Sequence, residues 1–207
     1  MTHRIAIVTG TSSGVGAATA RALVDRGWTV VGAARRAAAI DHPNYTHVTI
    51  DLADVRALPA AFERAVAPVW LMGFIARRAS RDTVLRIVNV STGAAVTAFP
   101  GLAAYASSKA ALRMAGQVVA AELDSPVRQA PGPADTAILS YQPGTVDTPM
   151  QTSARSIDPA EFPWAQMFRD FHARGLLVDP SVPAAEIVAF LESDSAPRLT
   201  ERRLGAS

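Results

Sequence analysis

Lys109 is the sole lysine of the chain, and it stands four residues after Tyr105 in Tyr105-Ala106-Ser107-Ser108-Lys109. Every other basic residue except the histidines is arginine. The two cations are not interchangeable: ammonium is a compact point charge on a flexible stem, guanidinium a wide planar fork. On a helix, a spacing of four puts both side chains on one face. A phenol with an ammonium beneath it is a candidate proton donor. A free phenol titrates near ~10, and a nearby cation favours the phenolate and lowers that value. YxxxK is short and recurs by chance, so its weight depends on its surroundings.

A second constellation lies at the other end of the chain, in Thr9-Gly10-Thr11-Ser12-Ser13-Gly14-Val15-Gly16. It follows an apolar strand-like run and opens a helix-like one, the context that a nucleotide-binding turn requires. Gly10 can take the sharp turn out of the strand, Gly14 lets backbone approach a pyrophosphate, and Gly16 lets the helix lie close on the sheet. The helix N-terminus offers free N–H groups and a positive dipole end to phosphates, and Ser12 and Ser13 add hydroxyl donors. The next strand ends in Ala33-Ala34-Arg35-Arg36. An NAD-selective site would put an acid there for the ribose 2′-hydroxyl. Two guanidinium groups suit a 2′-phosphate instead, which favours NADP.

These groups need a scaffold. The pattern predicts strands over 4–9, 29–33, 46–51, 86–90 and 136–142. It predicts helices over 15–26, 54–67, 103–123, 159–174 and 183–192, and a disordered tail over 199–207. Strands alternating with helices give an α/β fold, a doubly wound, Rossmann-like parallel sheet covered on both faces, as a single domain over 1–207. With 49% hydrophobic and 18% charged residues and a net charge of +2, the chain reads as globular. Its arginines are scattered, so nucleic acid is not an expected partner. The absence of cysteine excludes disulfides and thiolate metal sites, and no metal is expected. The apolar run after Met1-Thr2-His3-Arg4 is too short for a signal peptide, and no stretch approaches a membrane span. A cytoplasmic location is the expectation.

TGxxxGxG, a strand ending in Ser/Thr, and then YxxxK, in this order, resemble the short-chain dehydrogenase/reductase family. Within it the chain resembles the sepiapterin reductase and benzil reductase branch, through Ile87 to Ala95, Tyr141 to Gln151 and Gly175 to Asp179. The resemblance implies NADP-dependent reduction of a small carbonyl compound, a ketone or diketone, with Tyr105 as general acid. Lys109 would lower the phenol's pKa and bond the nicotinamide ribose. The family's substrate-orienting hydroxyl stands thirteen residues before the tyrosine, which is Thr92 here, with Ser91 as the fallback. Gly10, Ser12, Ser13, Gly14, Val15, Gly16, Arg35 and Arg36 would hold the dinucleotide, and Asp51 and Leu52 would lie beside its adenine. Pro143, Gly144 and Thr145 would border the nicotinamide, and Thr148 its carboxamide. The resemblance also implies a homodimer formed through the YxxxK helix and the helix before it.

Two departures stand out. After the helix ending near Ala67 the family has a fourth strand and an Asn-Asn-Ala-Gly turn; here Pro68 to Arg78 follows directly and looks like the second half of the next family helix. Roughly forty residues are absent, judged by domain size and crossover length, and the family's catalytic asparagine is among them. Asn89, on the strand before Ser91, is not a substitute. Either 69–76 fills the gap as a strand, or the first and fifth family strands pair directly. The family's last strand is also replaced, by Arg198 to Gly205. The alternatives are a catalytically degenerate relative that binds a nucleotide or a partner, and an internally shortened product of a longer reductase.

Overall fold

The structure, a computed structural model, describes residues 4–50, 60–125 and 133–206, with backbone alone at 60–67 and 77. They group into two compact units, Met1–Leu52 with Gly144–Ala189, and Ala53–Pro143 with Phe190–Ser207.

The first unit begins β1 (Ile5–Thr9), α1 (Gly14–Val24), β2 (Thr29–Ala34) and β3 (Tyr45–Thr49). The strands form one parallel sheet in the order β1-β2-β3, with Ile5 opposite Thr29 and Val30 opposite Tyr45. α1 buries Thr19, Ala20, Leu23 and Val24, one stripe at helical spacing. Gly27, at φ +80°, lets the chain leave the helix and turn into β2. After Gly144 come α4 (Pro149–Ser156), α5 (Ala165–Ala173) and α6 (Ser181–Leu191). The predicted helix over 159–174 is shorter than expected, because 158–162 forms a turn in which Glu161 and Phe162 N–H donate to the Asp158 carbonyl. α4 was not expected. It buries no residue, so it carries no apolar stripe to read, although Pro149 at its first turn is a favoured start.

The second unit holds α2 (Ala60–Arg78), β4 (Val84–Val90), a short 3-10 turn (Gly93–Ala95), α3 (Ala103–Asp124), β5 (Asp135–Gln142) and β6 (Leu199–Arg203). Its parallel sheet has the order β4-β5-β6. β5 is central and buried from Thr136 to Tyr141, as expected of a strand covered on both faces. α3 lies over this sheet with Leu112, Gly116 and Ala120 buried at intervals of four. Gly116 permits the close approach: a Cβ there would stand 3.2 Å from Asn89 Nδ2 on β4.

Three expectations are corrected. The helix predicted to stop at Ala67 runs on through Pro68 as α2, so 69–76 is helix and not a substitute strand. The strands form two separate three-stranded parallel sheets, not one; among the described residues β1 ladders only with β2 and β4 only with β5, so the direct pairing of first and fifth family strands is not made. The tail is not disordered and the last strand is not lost. β6 pairs in parallel with β5 from Leu199 opposite Ile138 to Arg203 opposite Gln142. Its polar sequence is held by side chains: Arg198 donates to Asp124 Oδ1 and to the Thr136 carbonyl, and Glu201 accepts from Arg113 and Gln117 on α3. No described strand stands between β3 and β4 in the chain, as the absent family segment predicts.

Candidate active site

In the first unit, the turn from β1 to α1 is shaped by its glycines. Gly10 has φ +74°, and its N–H donates to the Ala33 carbonyl at 2.8 Å, fastening the turn to β2. Gly14 has φ +60° and faces Thr148, whose Cγ2 would lie 3.0 Å from a Cβ at that position. Gly16 packs against the strand end so closely that a Cβ would stand 2.9 Å from the Gly10 carbonyl carbon and 3.0 Å from the Thr9 oxygen. Ser13 is the N-cap of α1 in extended backbone, yet its side chain makes no capping bond. The first-turn N–H groups and the half-buried Ser12 and Ser13 hydroxyls are therefore available to an external anion, and a phosphate fits this cradle. Arg35 and Arg36 are exposed just beyond β2.

The stretch after β5 is also held in the first unit. Gly144 has φ +73°. Val178 pins the residues that follow: its N–H donates to the Thr145 carbonyl and its carbonyl accepts from Asp147 N–H, both at 2.9 Å. Thr148 then caps α4 without a side-chain capping bond and turns its methyl group to the Gly14 turn, and a shallow depression lined by Asp147, Thr148, Pro149, Thr152 and Ser153 opens there. Thus Gly14 and Thr148, proposed as cofactor neighbours from sequence, meet in the structure. Asp51 and Leu52 lie outside the described residues, and Pro143 is the last residue of the second unit before Gly144.

In the second unit, α3 carries Tyr105 and Lys109 one turn apart. Tyr105 is half-buried, with the Thr92 side chain beside its phenol. Burial pushes the phenol above its ordinary pKa, against a smaller lowering from Thr92. The Lys109 ammonium donates to the Val90 carbonyl at the end of β4, at 2.8 Å. Thr92 Oγ1 accepts from Ala94 N–H, which ties the hydroxyl to the 3-10 turn. Ser91 differs. Its N–H donates to the Tyr141 carbonyl, but its hydroxyl is buried without a partner among the described residues. Asn89 is buried too, with its amide directed at the Met72 sulfur of α2 at 3.7 Å, so it is spent on packing two elements. Sequence reasoning missed Tyr45, whose hydroxyl bonds the buried Thr11 of the glycine turn; the available signal was Gly32 inside a strand.

A glycine cradle at a helix N-terminus beside a parallel strand end, and a Tyr-Lys helix beside a hydroxyl-bearing strand end, define a dinucleotide-dependent oxidoreductase class. Comparison with known proteins agrees. A family model described as short chain dehydrogenase matches residues 4–76 and again 64–158, and the chain belongs to this family. It is therefore an oxidoreductase of a family that uses a nicotinamide cofactor. The two matched stretches overlap over 64–76, within α2. Benzil reductase ((S)-benzoin forming) of Bacillus subtilis is 26% identical over 233 positions, covering 90% of this chain and 92% of that protein. Sepiapterin reductase of Bos taurus is 34% identical over 110 residues, 52% of this chain but 36% of the relative. A short chain dehydrogenase/reductase structure from Saccharomyces cerevisiae superposes with TM-score 0.77 at 21% identity, covering 98% of this chain and 96% of that one. The alignment with the Bacillus subtilis protein is longer than the 207 residues of this chain, so that relative carries residues which this chain lacks.

Proposed function

We propose that this protein is an NADP-dependent carbonyl reductase that takes a small ketone or diketone to its alcohol, with Tyr105 as general acid. The observation that carries the reading is the Tyr105 phenol beside Thr92, with Lys109 one turn further along α3. When bound, the nicotinamide supplies the hydride. Thr92 orients the substrate oxygen, and Tyr105 O–H donates the proton as negative charge develops there. Lys109, steadied by the Val90 carbonyl, holds the nicotinamide ribose and offsets the charge left on the phenolate until solvent returns a proton.

Gly10, Ser12, Ser13, Gly14, Val15 and Gly16 cradle the pyrophosphate in this reading. Arg35 and Arg36 take the 2′-phosphate, Asp51 and Leu52 flank the adenine, and Pro143, Gly144, Thr145 and Thr148 border the nicotinamide. Exposed Trp70 (61%) on α2 and Met114 (56%) and Val118 (46%) on α3 support a homodimer through these helices. A Met114→Glu chain that still sedimented as a dimer would refute that. A cytoplasmic location is part of this reading, and no described helix is long and apolar enough to cross a membrane.

Titration of the purified protein with NADPH and NADH, followed by a carbonyl panel, tests the reading. NADPH binds more tightly and is oxidised in a carbonyl-dependent way. Tyr105→Phe keeps NADPH binding and loses about 10²-fold or more in turnover. Wild-type turnover by that variant would refute Tyr105 as the acid.

A further inference from the structure

Tyr45 belongs to β3, yet its hydroxyl reaches the loop that follows β1. It donates to Thr11 Oγ1 at 3.0 Å and lies 3.3 Å from His47 Nδ1. To arrive there the ring crosses β2 over Gly32. A Cβ at Gly32 would collide with the Tyr45 hydroxyl and stand 2.5 Å from Cζ and 2.6 Å from Cε2. Gly32 therefore serves passage: a strand interior normally disfavours glycine, and a glycine there marks a place where another group comes close.

Thr11 is the first residue after the left-handed Gly10, and it is fully buried. Ser12, Ser13 and the first turn of α1 follow from it. The phosphate-facing part of the turn is not fixed by its own cap, because the Ser13 side chain makes none. Among the described residues two bonds fasten its entry, Gly10 N–H to the Ala33 carbonyl and the Tyr45 hydroxyl to Thr11. An anion site built from backbone N–H groups binds well only if those groups are already aimed before the ligand arrives.

We propose that Tyr45 is a positioning residue for dinucleotide binding, its phenol passing over Gly32 to hold Thr11 and preset the turn. This rests on the reading of that turn as the phosphate site. Tyr45 touches neither the 2′-phosphate arginines nor the proposed catalytic pair, so its effect falls on the part of the ligand that NADPH and NADH share.

The test is dinucleotide titration and steady-state kinetics on the whole chain, for wild type, Tyr45→Phe, Thr11→Val and the double variant. Loss of one such bond weakens binding about tenfold. Tyr45→Phe is expected to raise Kd for NADPH and NADH by the same factor, with kcat at saturating cofactor within about twofold of wild type. Thr11→Val does the same, and the double variant binds no worse than either single one, because both remove one interaction. Should Tyr45→Phe fail to fold, Thr11→Val carries the same expectation. Unchanged Kd in the variants, or a loss confined to kcat and thermal stability, would overturn the proposal while leaving the turn's reading intact. A wild-type chain that binds neither dinucleotide would overturn that reading itself.

Discussion

Thr92 and Ser91 are the two candidates for the hydroxyl that orients the substrate beside Tyr105. Thr92 stands beside the phenol, whereas the Ser91 hydroxyl is buried with no partner among the described residues. Thr92→Ala is therefore expected to lower kcat by about 10²-fold, and Ser91→Ala by less than about threefold. Steady-state kinetics of the two variants decide it, and the reverse ranking would transfer the role to Ser91. The phenol's pKa gives a second expectation. The donor form in reduction is the protonated phenol, and burial raises its pKa. The free enzyme thus stays in the competent form throughout neutral pH, and kcat/KM for reduction declines only as pH rises past the ordinary phenol value. A decline already complete by pH 8 would show that Lys109 or another cation governs Tyr105 after all. The Tyr105–Lys109 pair stands out in the sequence by its spacing, but the direction of the phenol's pKa does not. It depends on how deeply α3 seats Tyr105, a product of tertiary packing.

At the scale of elements, periodicity revealed what packing dictates and missed what pairing dictates. The buried runs of β2 and β5 and the stripe of α1 appear in the sequence because each must hide apolar surface. β6 carries Leu199-Thr-Glu-Arg-Arg203, which alternates no apolar face, and it is a strand because β5 offers an edge and side chains on α3 bind it. Gly32 in β2 is legible only once Tyr45 is seen crossing it. The start of the β4–β5 pair shows how such charged anchoring works. Arg86, with its side chain 4% exposed, donates to both Asp135 carboxylate oxygens, at 2.8 and 3.2 Å. The Arg86 guanidinium holds the Asp135 carboxyl below its ordinary pKa. A depressed folded-state value contributes stability above the unfolded carboxylate pKa, and that contribution is lost as pH falls through the folded value. Asp135→Asn is expected to cost about 1–2 kcal/mol near neutrality, since a buried guanidinium loses its charged acceptor. The Tm difference from wild type should shrink as pH falls below about 4. Equal Tm values at pH 7 would show that the exposed half of this pair leaves it without weight.

At the scale of the whole molecule, the chain is a family member from which a central segment is absent. The family model matches twice, and the two matched stretches overlap within α2. The deficit was legible in the sequence because Pro68 to Arg78 reads as the end of a helix whose beginning is missing. Its consequence was not, since two sheets and a rearranged single sheet share one sequence pattern. Ile5 (63%) and Ile7 (52%) of β1 and Val84 (61%) of β4 are exposed apolar surface. Less burial for the same chain entropy lowers the margin of stability. A ligand that binds only the folded state restores part of it, by about 2.7 kcal/mol at a hundredfold excess over Kd. If residues 1–207 fold as the single domain expected from sequence, scanning calorimetry should show one cooperative transition. NADPH at that excess should raise it as a whole, by about 5–10 °C for a chain of this size. Two transitions, with NADPH moving only one of them, would instead make each compact unit its own folding domain and confine the dinucleotide's stabilisation to the unit that carries the glycine turn.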